Sequence, residues 1–298
     1  MRNWSRYLLS SAIILSGIFV AQLILGLPSF QKKTSGYGPQ VSKIQESSIN
    51  GLTLKEGSLE FDLKQTNENW ILEGRKADTT KIDEIFSLIL EKSGPYDLAS
   101  DNPSHFSDFG IASESATLVT LKSNDEPKLS VLLGKISYPG QFISVKDAQS
   151  VYLARTSLDF LEPLNKAEFW DKSLVTTKTS EIKKIRIAGK EDFILVKEND
   201  KWTFEENKKE AKDSKITEFL SRLELLRADS FLENRKDQSK YPEKVGEITL
   251  ESDGRSENLT FYGKGSQTLV ERKSDGELLI FSSDTLKDLL PSRSSLLP

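Results

Sequence analysis

The stretches that decide the fold are "NENWILEGRKADTTKIDEIFSLI" (residues 67–89) and "NDKWTFEENKKEAKDSKITEFLSRL" (residues 199–223). Each places a tryptophan, Trp70 or Trp202, among alternating apolar residues, which is typical of a strand. A polar break and a run with helical periodicity follow in both. The chain therefore repeats one pattern of strand, polar break and helix, and this predicts two related units in tandem.

The helical part of this repeated pattern has one apolar face in each copy. Apolar residues recur at positions i, i+3, i+4 and i+7, which predicts an amphipathic helix packed on a sheet. The matching residues are Ile82, Ile85, Phe86 and Ile89 in the first copy and Ile216, Phe219, Leu220 and Leu223 in the second. Thr80 and Ser214 stand where an N-cap is expected.

Further strands follow each predicted helix. Residues 118–135 and 247–264 align without gaps as strand, polar turn, strand and Gly-Lys, and another hairpin comes after each. An antiparallel sheet that buries one face under its helix belongs to the α+β class. We therefore predict a first α+β repeat over 49–170 and a second over 171–298, with Trp70 and Trp202 as core residues. Residues 165–175 are expected to join them, with Phe169 and Trp170 partly buried at the junction.

The N-terminal segment Tyr7–Leu27 has no charged residue and is long enough to cross a bilayer as a helix. Arg2 and Arg6 precede it, which predicts a cytoplasmic N-terminus at residues 1–6 and an extracytoplasmic body. A cleaved signal peptide and a buried soluble helix are the alternatives. Residues 28–48 are rich in Ser, Gly, Gln and Lys, and they are interpreted as a linker.

Composition excludes several kinds of site. The formal net charge is -4, and because residues 1–40 hold four basic and no acidic residues, the body is more acidic than the whole chain. An acidic body does not suit nucleic-acid binding, which needs clustered cations. The chain has 0 Cys and 1 His, which excludes disulfides, thiolate metal sites and sites with several histidines.

The sequence offers weak candidates for chemistry. His105 lies near Asp97, Asp101 and Asp108 in a loop-like stretch, but the spacing matches no calcium loop and no nucleophile can be placed beside the histidine. We interpret His105 as a solvated loop residue.

Two Gly-Lys pairs, Gly134-Lys135 and Gly263-Lys264, lie within hairpins and lack the spacing of a phosphate-binding loop. We therefore predict no catalytic, cofactor-binding or metal-binding residue, no cofactor, and a protein that is not an enzyme.

The combined motifs resemble the DUF4340 family. They are Trp70, Ala77-Asp78, Phe109-Gly110-Ile111, Leu132 to Lys135, Val151-Tyr152-Leu153 and Phe169 to Val175. The second copy departs from them, because "KYPEKVGEI" (240–248) replaces the Phe-Gly-Ile phrase and Lys212 replaces Asp78. The resemblance implies a bacterial, membrane-anchored protein with an extracytoplasmic body. It also implies a gene that often lies beside permease and auxiliary subunits of an ABC transporter of the gliding-motility type.

These observations lead to one expected function and one alternative. The first is a non-enzymatic accessory or scaffold protein, single-pass in the bacterial inner membrane with a periplasmic body, whose partners are the membrane and ABC permease or auxiliary subunits. The alternative is a module that binds an envelope glycan or peptide.

Overall fold

The computed structural model describes residues 37, 41–90, 96–112, 116–282, 284–286 and 289–297. The chain divides into two compact units, Met1–Phe169 and Trp170–Pro298. Each unit contains one antiparallel sheet with an α-helix, so the predicted α+β class is confirmed.

The first unit is built on a nine-stranded sheet. Its strands are β1 (Gly51–Glu56), β2 (Leu59–Thr66), β3 (Asn69–Leu72), β4 (Arg75–Lys76), β5 (Asp97–Ser100), β6 (Thr117–Ser123), β7 (Glu126–Ser137), β8 (Gly140–Val145) and β9 (Val151–Ala154). Helix α1 (Thr79–Ile89) follows β4. The order across the sheet is β4-β3-β2-β1-β6-β7-β8-β9-β5.

The second unit is built on an eight-stranded sheet. Its strands are β10 (Lys184–Ala188), β11 (Phe193–Glu198), β12 (Lys201–Phe204), β13 (Ser230–Phe231), β14 (Glu243–Ser252), β15 (Arg255–Lys264), β16 (Gln267–Arg272) and β17 (Glu277–Ser282). Helix α2 (Asp213–Leu225) follows β12. The order is β12-β11-β10-β14-β15-β16-β17-β13, which repeats the first sheet strand for strand without the short edge strand β4.

The apolar helix faces lie where the periodicity places them. All eight residues of the two predicted stripes are buried. On α1, Phe86 stacks against Trp70 of β3 with ring centroids 5.9 Å apart. Trp202 and the apolar face of α2 belong to one core. Both tryptophans are 5% exposed, which confirms their prediction as core residues.

The predicted helix caps are wrong in both units. The N-cap of α1 is Asp78, whose Oδ1 accepts a hydrogen bond from the N–H of Thr80 at 3.0 Å. The N-cap of α2 is Lys212, whose side chain makes no capping bond. Thr80 and Ser214 are inside the first turn instead, because each helix begins earlier than its apolar stripe.

The gap-free alignment of 118–135 with 247–264 fails in its second half. In the first unit the register shifts after Leu121, so that Lys128 has no partner across the β6–β7 ladder, and it shifts again between Leu133 and Ile136. Each bulge inserts one residue without moving the strand to another place in the sheet. After both shifts Ser137 occupies the position of Lys264, since these residues close the two equivalent hairpins.

The segments that enter the two sheets are also equivalent. The N–H of Asn50 donates to Lys122 at 3.1 Å, and the N–H of Lys183 donates to Glu251 at 2.8 Å, in the same place of each sheet. Each donor follows a short 3-10 turn and a buried isoleucine.

Farther upstream, Tyr37 and Val41 are buried in the first unit, and Tyr37 stacks against Tyr152 with ring centroids 5.6 Å apart. The segment that the sequence predicts as a linker thus contributes side chains to the first core.

Phe169 and Trp170 pack into different units. Phe169 is fully buried against Phe61 and Phe160 of the first unit, so the prediction that it is partly buried is wrong. Trp170 is partly buried and packs edge-on against Phe231 of the second unit, with centroids 5.6 Å apart. The boundary between the two units falls between these neighbours, at the end of the 3-10 turn Lys166–Phe169.

The predicted membrane segment Tyr7–Leu27 lies outside the described residues. Among the residues that are described, no helix is long and apolar enough to cross a membrane.

Candidate functional site

The structure places the predicted loop histidine at the surface. His105 ends a short 3-10 turn, and its Nδ1 lies 3.1 Å from Oδ2 of Asp108, with both side chains exposed. Asp97 lies in β5, with its Oδ2 3.7 Å from a guanidinium nitrogen of Arg155. In the described part of the chain, no group of three or more His, Cys, Asp and Glu side chains could hold a metal ion.

The first Gly-Lys pair has a packing role. A side chain at Gly134 would place Cβ 2.2 Å from the carbonyl oxygen of Phe109, so this position must be glycine. The N–H of Lys135 donates to the same carbonyl at 2.9 Å, and Nζ of Lys135 donates to the carbonyl of Asp108 at 3.1 Å. Gly134 lies inside β7, so it packs the Phe-Gly-Ile motif against the sheet and is not the turn glycine that its place in a hairpin predicts.

A polar groove in the second unit is a candidate site. Three segments form it, namely the turn before β10, the β11–β12 turn and the β14–β15 turn, and its volume is about 780 Å³. The residues that line it are Ser180, Glu181, Ile182, Lys183, Lys197, Asn199, Asp200, Ser252, Asp253 and Arg255. Because the β14–β15 turn is far in sequence from the other two segments, only the folded sheet brings them together.

The charges in the groove are partly neutralised. Lys183 Nζ lies 2.5 Å from a carboxylate oxygen of Asp253, and Lys197 Nζ lies 3.5 Å from one of Asp200. The guanidinium of Arg255 makes no ion pair with any described residue. The groove therefore presents an exposed guanidinium beside hydroxyl and amide groups, which suits a ligand that carries a carboxylate or a phosphate.

The first unit lacks these cations at the equivalent positions. Lys183 corresponds to Asn50 by its backbone bond into the sheet. Lys197 corresponds to Gln65, since each faces the unit's core tryptophan across a hairpin. Arg255 corresponds to Glu126, since each closes the same turn. The cationic set therefore belongs to the second copy and is not needed for the fold.

A family model described as "Domain of unknown function (DUF4340)" matches residues 89–244, which is more than half of the chain. The chain belongs to the DUF4340 family. No curated protein and no solved structure matches it.

The DUF4340 match covers the end of the first unit and the beginning of the second. It includes Lys183 and Lys197 of the groove, but it ends before the β14–β15 turn that carries Arg255. Inside the DUF4340 match, Gly134 serves packing, whereas Asp78, which caps α1, lies before the matched residues.

Two buried charged residues of the second unit were missed by the sequence reasoning. The carboxylate of Glu257 accepts from the N–H groups of Thr176 and Thr177 at 2.9–3.1 Å. Arg272 is 0% exposed, bonds to Asp275 and donates to the carbonyl of Ser173. Together they hold the entry segment of the second unit on its sheet.

A signal for these two residues was present in the strand periodicity. Glu257 alternates with Leu259 and Phe261, and Arg272 alternates with Val270, so both charged residues fall on an apolar face. A charged residue at such a position needs a buried partner. The sequence could therefore have indicated two internal polar contacts, although not their partners.

Proposed function

We propose that this DUF4340 protein is a non-enzymatic, extracytoplasmic accessory or scaffold protein that acts through contacts with an ABC-type transport system. The Tyr7–Leu27 segment would anchor it in the inner membrane with the body on the outer side. The two units are proposed to be tandem domains that arose by duplication.

One observation carries this proposal: the two copies share their packing and differ in their polar surface. Trp70 and Trp202 occupy equivalent buried positions. In contrast, the amide pair of Asn50 and Asn124 in the first unit becomes an ion pair in the second. Duplicated cores with diverged surfaces favour a protein whose outer faces bind different neighbours, because a chemical site common to both copies would keep its polar groups.

The anchor is tested by fractionation of the full chain. We expect the protein to stay in the membrane pellet after an alkaline carbonate wash and to keep its N-terminal residues in mass spectrometry. A mature N-terminus between residues 28 and 40 would contradict the anchor and support the signal-peptide alternative. A matched chain in which a cleavable signal peptide replaces residues 1–27 should appear in the soluble periplasmic fraction.

The scaffold role is tested by site-specific crosslinking in cells. The chain has 0 Cys, so single cysteines can carry a crosslinker without background. Leu59 and Leu225 are 38% and 77% exposed and are suitable positions, one in each unit. We expect adducts with permease or auxiliary subunits of an ABC transporter in the anchored chain and their loss in the matched soluble chain. Adducts without any transport subunit would contradict the proposal.

A second candidate function is favoured by the polar groove, namely binding of an envelope glycan or peptide. The groove has three cations that the first copy replaces with Asn50, Gln65 and Glu126. The lining also carries the carboxylates of Glu181, Asp200 and Asp253, so the groove is a mixed-charge site that the first copy does not repeat, as a binding module with a single ligand site would show. The absence of a stacking aromatic side chain from its lining favours a ligand recognised mainly by its charged and polar groups.

Calorimetry with a soluble muropeptide, which carries carboxylates on a sugar-peptide backbone, tests this candidate. We expect Arg255→Glu, which copies the residue of the first unit, to abolish binding. Glu126→Gln in the first unit is the matched control and should leave binding unchanged. Equal binding by both variants would assign the ligand to another surface.

A further inference from the structure

The turn between β7 and β8 carries an exposed aromatic residue. Tyr138 is 98% exposed, more than any other large apolar or aromatic side chain that the structure describes, and Ile136 on the same hairpin is 38% exposed. Pro139 completes the turn and is also exposed. An aromatic side chain that makes no contact with its own unit contributes little to the stability of the fold.

The second copy shows that this turn does not need an aromatic residue. Ser137 and Gly140 close the turn in the first unit, as Lys264 and Gln267 do in the second. The two residues between them are Tyr138-Pro139 in one copy and Gly265-Ser266 in the other. The position of Ile136 is taken by Gly263. The apolar tip is thus a property of the first unit alone among two equivalent hairpins.

A cation lies beside this tip. A side chain at Gly140 would place Cβ 1.8 Å from the carbonyl oxygen of Ala154, so the turn runs directly against the end of β9. Arg155 follows there, with a side chain that is 62% exposed and 3.7 Å from Asp97. The equivalent residue after β17's Phe281 is Ser282. The tip thus carries an apolar ring and a hydroxyl group, and the adjoining end of β9 carries an exposed arginine whose charge is partly offset by Asp97.

This combination matches the chemistry of a bilayer surface. Tyrosine is enriched at membrane interfaces because its ring enters the acyl boundary while its hydroxyl group stays hydrated. Arginine is attracted to anionic head groups at the same depth. We propose that the β7–β8 tip of the first unit rests on the bilayer through Tyr138, Ile136 and Arg155. The proposal rests on the membrane anchor of the proposed function.

The position of the first unit in the chain supports this orientation. The expected anchor ends at Leu27, and Tyr37 is already buried in the first unit. The ten residue steps from Leu27 to Tyr37 span at most about 36 Å, so the first unit cannot lie far from the membrane. Tyr37 packs on Tyr152 of β9, and Tyr152 pairs with Ile143 on β8, the strand that leaves the tip. The tip and the tethering point therefore belong to neighbouring strands.

The test uses the full chain reconstituted in vesicles, labelled at one cysteine with an environment-sensitive fluorophore. Ser137→Cys keeps Tyr138 and reports on the tip, and Lys264→Cys reports on the equivalent position of the second unit. Vesicles of phosphatidylcholine and of phosphatidylcholine with phosphatidylglycerol are compared, with a spin-labelled lipid as quencher. We expect a shift of the emission to shorter wavelength and lipid quenching at position 137, stronger with phosphatidylglycerol, and neither effect at position 264.

Substitution of the aromatic residue separates its role from that of the anchor. Tyr138→Ser in the Ser137→Cys chain should abolish the emission shift and the quenching, while the chain stays in the carbonate-washed membrane. Quenching that survives Tyr138→Ser, or equal quenching at 137 and 264, would overturn the proposal. An unquenched position 137 that crosslinks to a membrane protein in cells would also overturn it, because a protein partner would then cover the tip. Loss of the chain from washed membranes would instead refute the anchor.

Discussion

The backbone N–H of Asp78 donates a hydrogen bond to the carbonyl oxygen of Phe169 at 2.8 Å. Lys212 makes the same 2.8 Å bond to Leu296 in the second unit. In each unit the N-cap residue of the helix is thus bonded to the last residue of a short 3-10 turn, which is Lys166–Phe169 in the first unit and Arg293–Leu296 in the second. The two N-cap positions have the same geometry, with φ and ψ of -71° and 106° at Asp78 and -78° and 104° at Lys212. They differ in the side chain alone.

This equivalence predicts a stabilising substitution. Lys212→Asp should add the side-chain cap that Asp78 supplies in the first unit and raise the free energy of unfolding of the second unit by about 1 kcal/mol. Asp78→Ala should lower that of the first unit by a similar amount. Urea unfolding measures both, with Lys212→Ala as the control that removes the lysine charge without adding an acceptor. An equal effect of Lys212→Ala would assign the gain to charge.

The burial of the two core tryptophans predicts a similar loss of stability in each unit when its tryptophan is removed. Trp70→Ala and Trp202→Ala should each lower the free energy of unfolding of their own unit by about 3–5 kcal/mol, because each leaves a large buried cavity. Hydrogen exchange resolved by peptide would locate each loss in the unit that carries the substitution. Hydrogen exchange at the wild-type rate in both variants would contradict the packing role.

The burial of the Arg272 guanidinium predicts that its removal lowers the stability of the second unit alone. Arg272→Met leaves the carbonyl of Ser173 and the carboxylate of Asp275 without their partner, and removal of one member of a buried pair costs about 3–5 kcal/mol. We expect the lower end of this range, because Asp275 is partly exposed and can be hydrated. Exchange should increase in the entry segment at Ser173.

A surface arginine supplies the control for this prediction. Arg235 lies 3.5 Å from Glu271 and is 65% exposed, so Arg235→Met should cost at most about 1 kcal/mol. If the two substitutions cost the same, the assigned role of the buried guanidinium is wrong.

Tyr37 predicts that the first unit extends upstream of its sheet. Its hydroxyl group donates to the carbonyl of Ile89 at the end of α1, at 2.9 Å. Tyr37→Phe should lower the free energy of unfolding of the first unit by about 1 kcal/mol, and Tyr37→Ala by about 3 kcal/mol or more. Thermal unfolding of both variants would show no change if this residue belonged to a free linker.

The solvent face of the first sheet predicts a pH dependence. Burial raises the pKa of Asp62, but hydrogen bonds from Thr53 and Lys122 and the charge of Lys122 outweigh it, so the pKa lies below the ordinary 3.8. A lowered pKa in the folded state stabilises the protein above the ordinary value, and the contribution disappears as the pH falls through the lowered value.

The free energy of unfolding of the Asp62→Asn variant should therefore approach that of the wild type as the pH falls below 3.8. The effect is small, because the side chain of Asp62 is 48% exposed. Urea unfolding of both chains over this pH range measures it, and Asp125→Asn at the exposed pair with Lys64 is the control. A difference that stays constant below pH 3.8 would show that the ionised carboxylate is not involved.

The sequence by itself determined the repeat, the α+β class and the buried helix faces. Ile82 and Ile216 are predictable because helical periodicity and apolar side chains act within a few residues along the chain. The core tryptophans follow from the strand alternation of the apolar residues around them. The strand periodicity also held a signal for Glu257 and Arg272, since each falls on an apolar strand face, but that signal was missed.

The tertiary structure alone decided where the register shifts, which residues cap the helices, and which side chains hold the entry segments. Lys128 bulges because pairing with β6 fixes the ladder on both sides of it. No local sequence pattern shows that β7 has one residue more than its partner strand needs. Glu257 is satisfied by Thr176 and Thr177, and the polar groove joins turns from distant segments. These features depend on groups that meet across the sheet, so their energies are set by partners far along the chain.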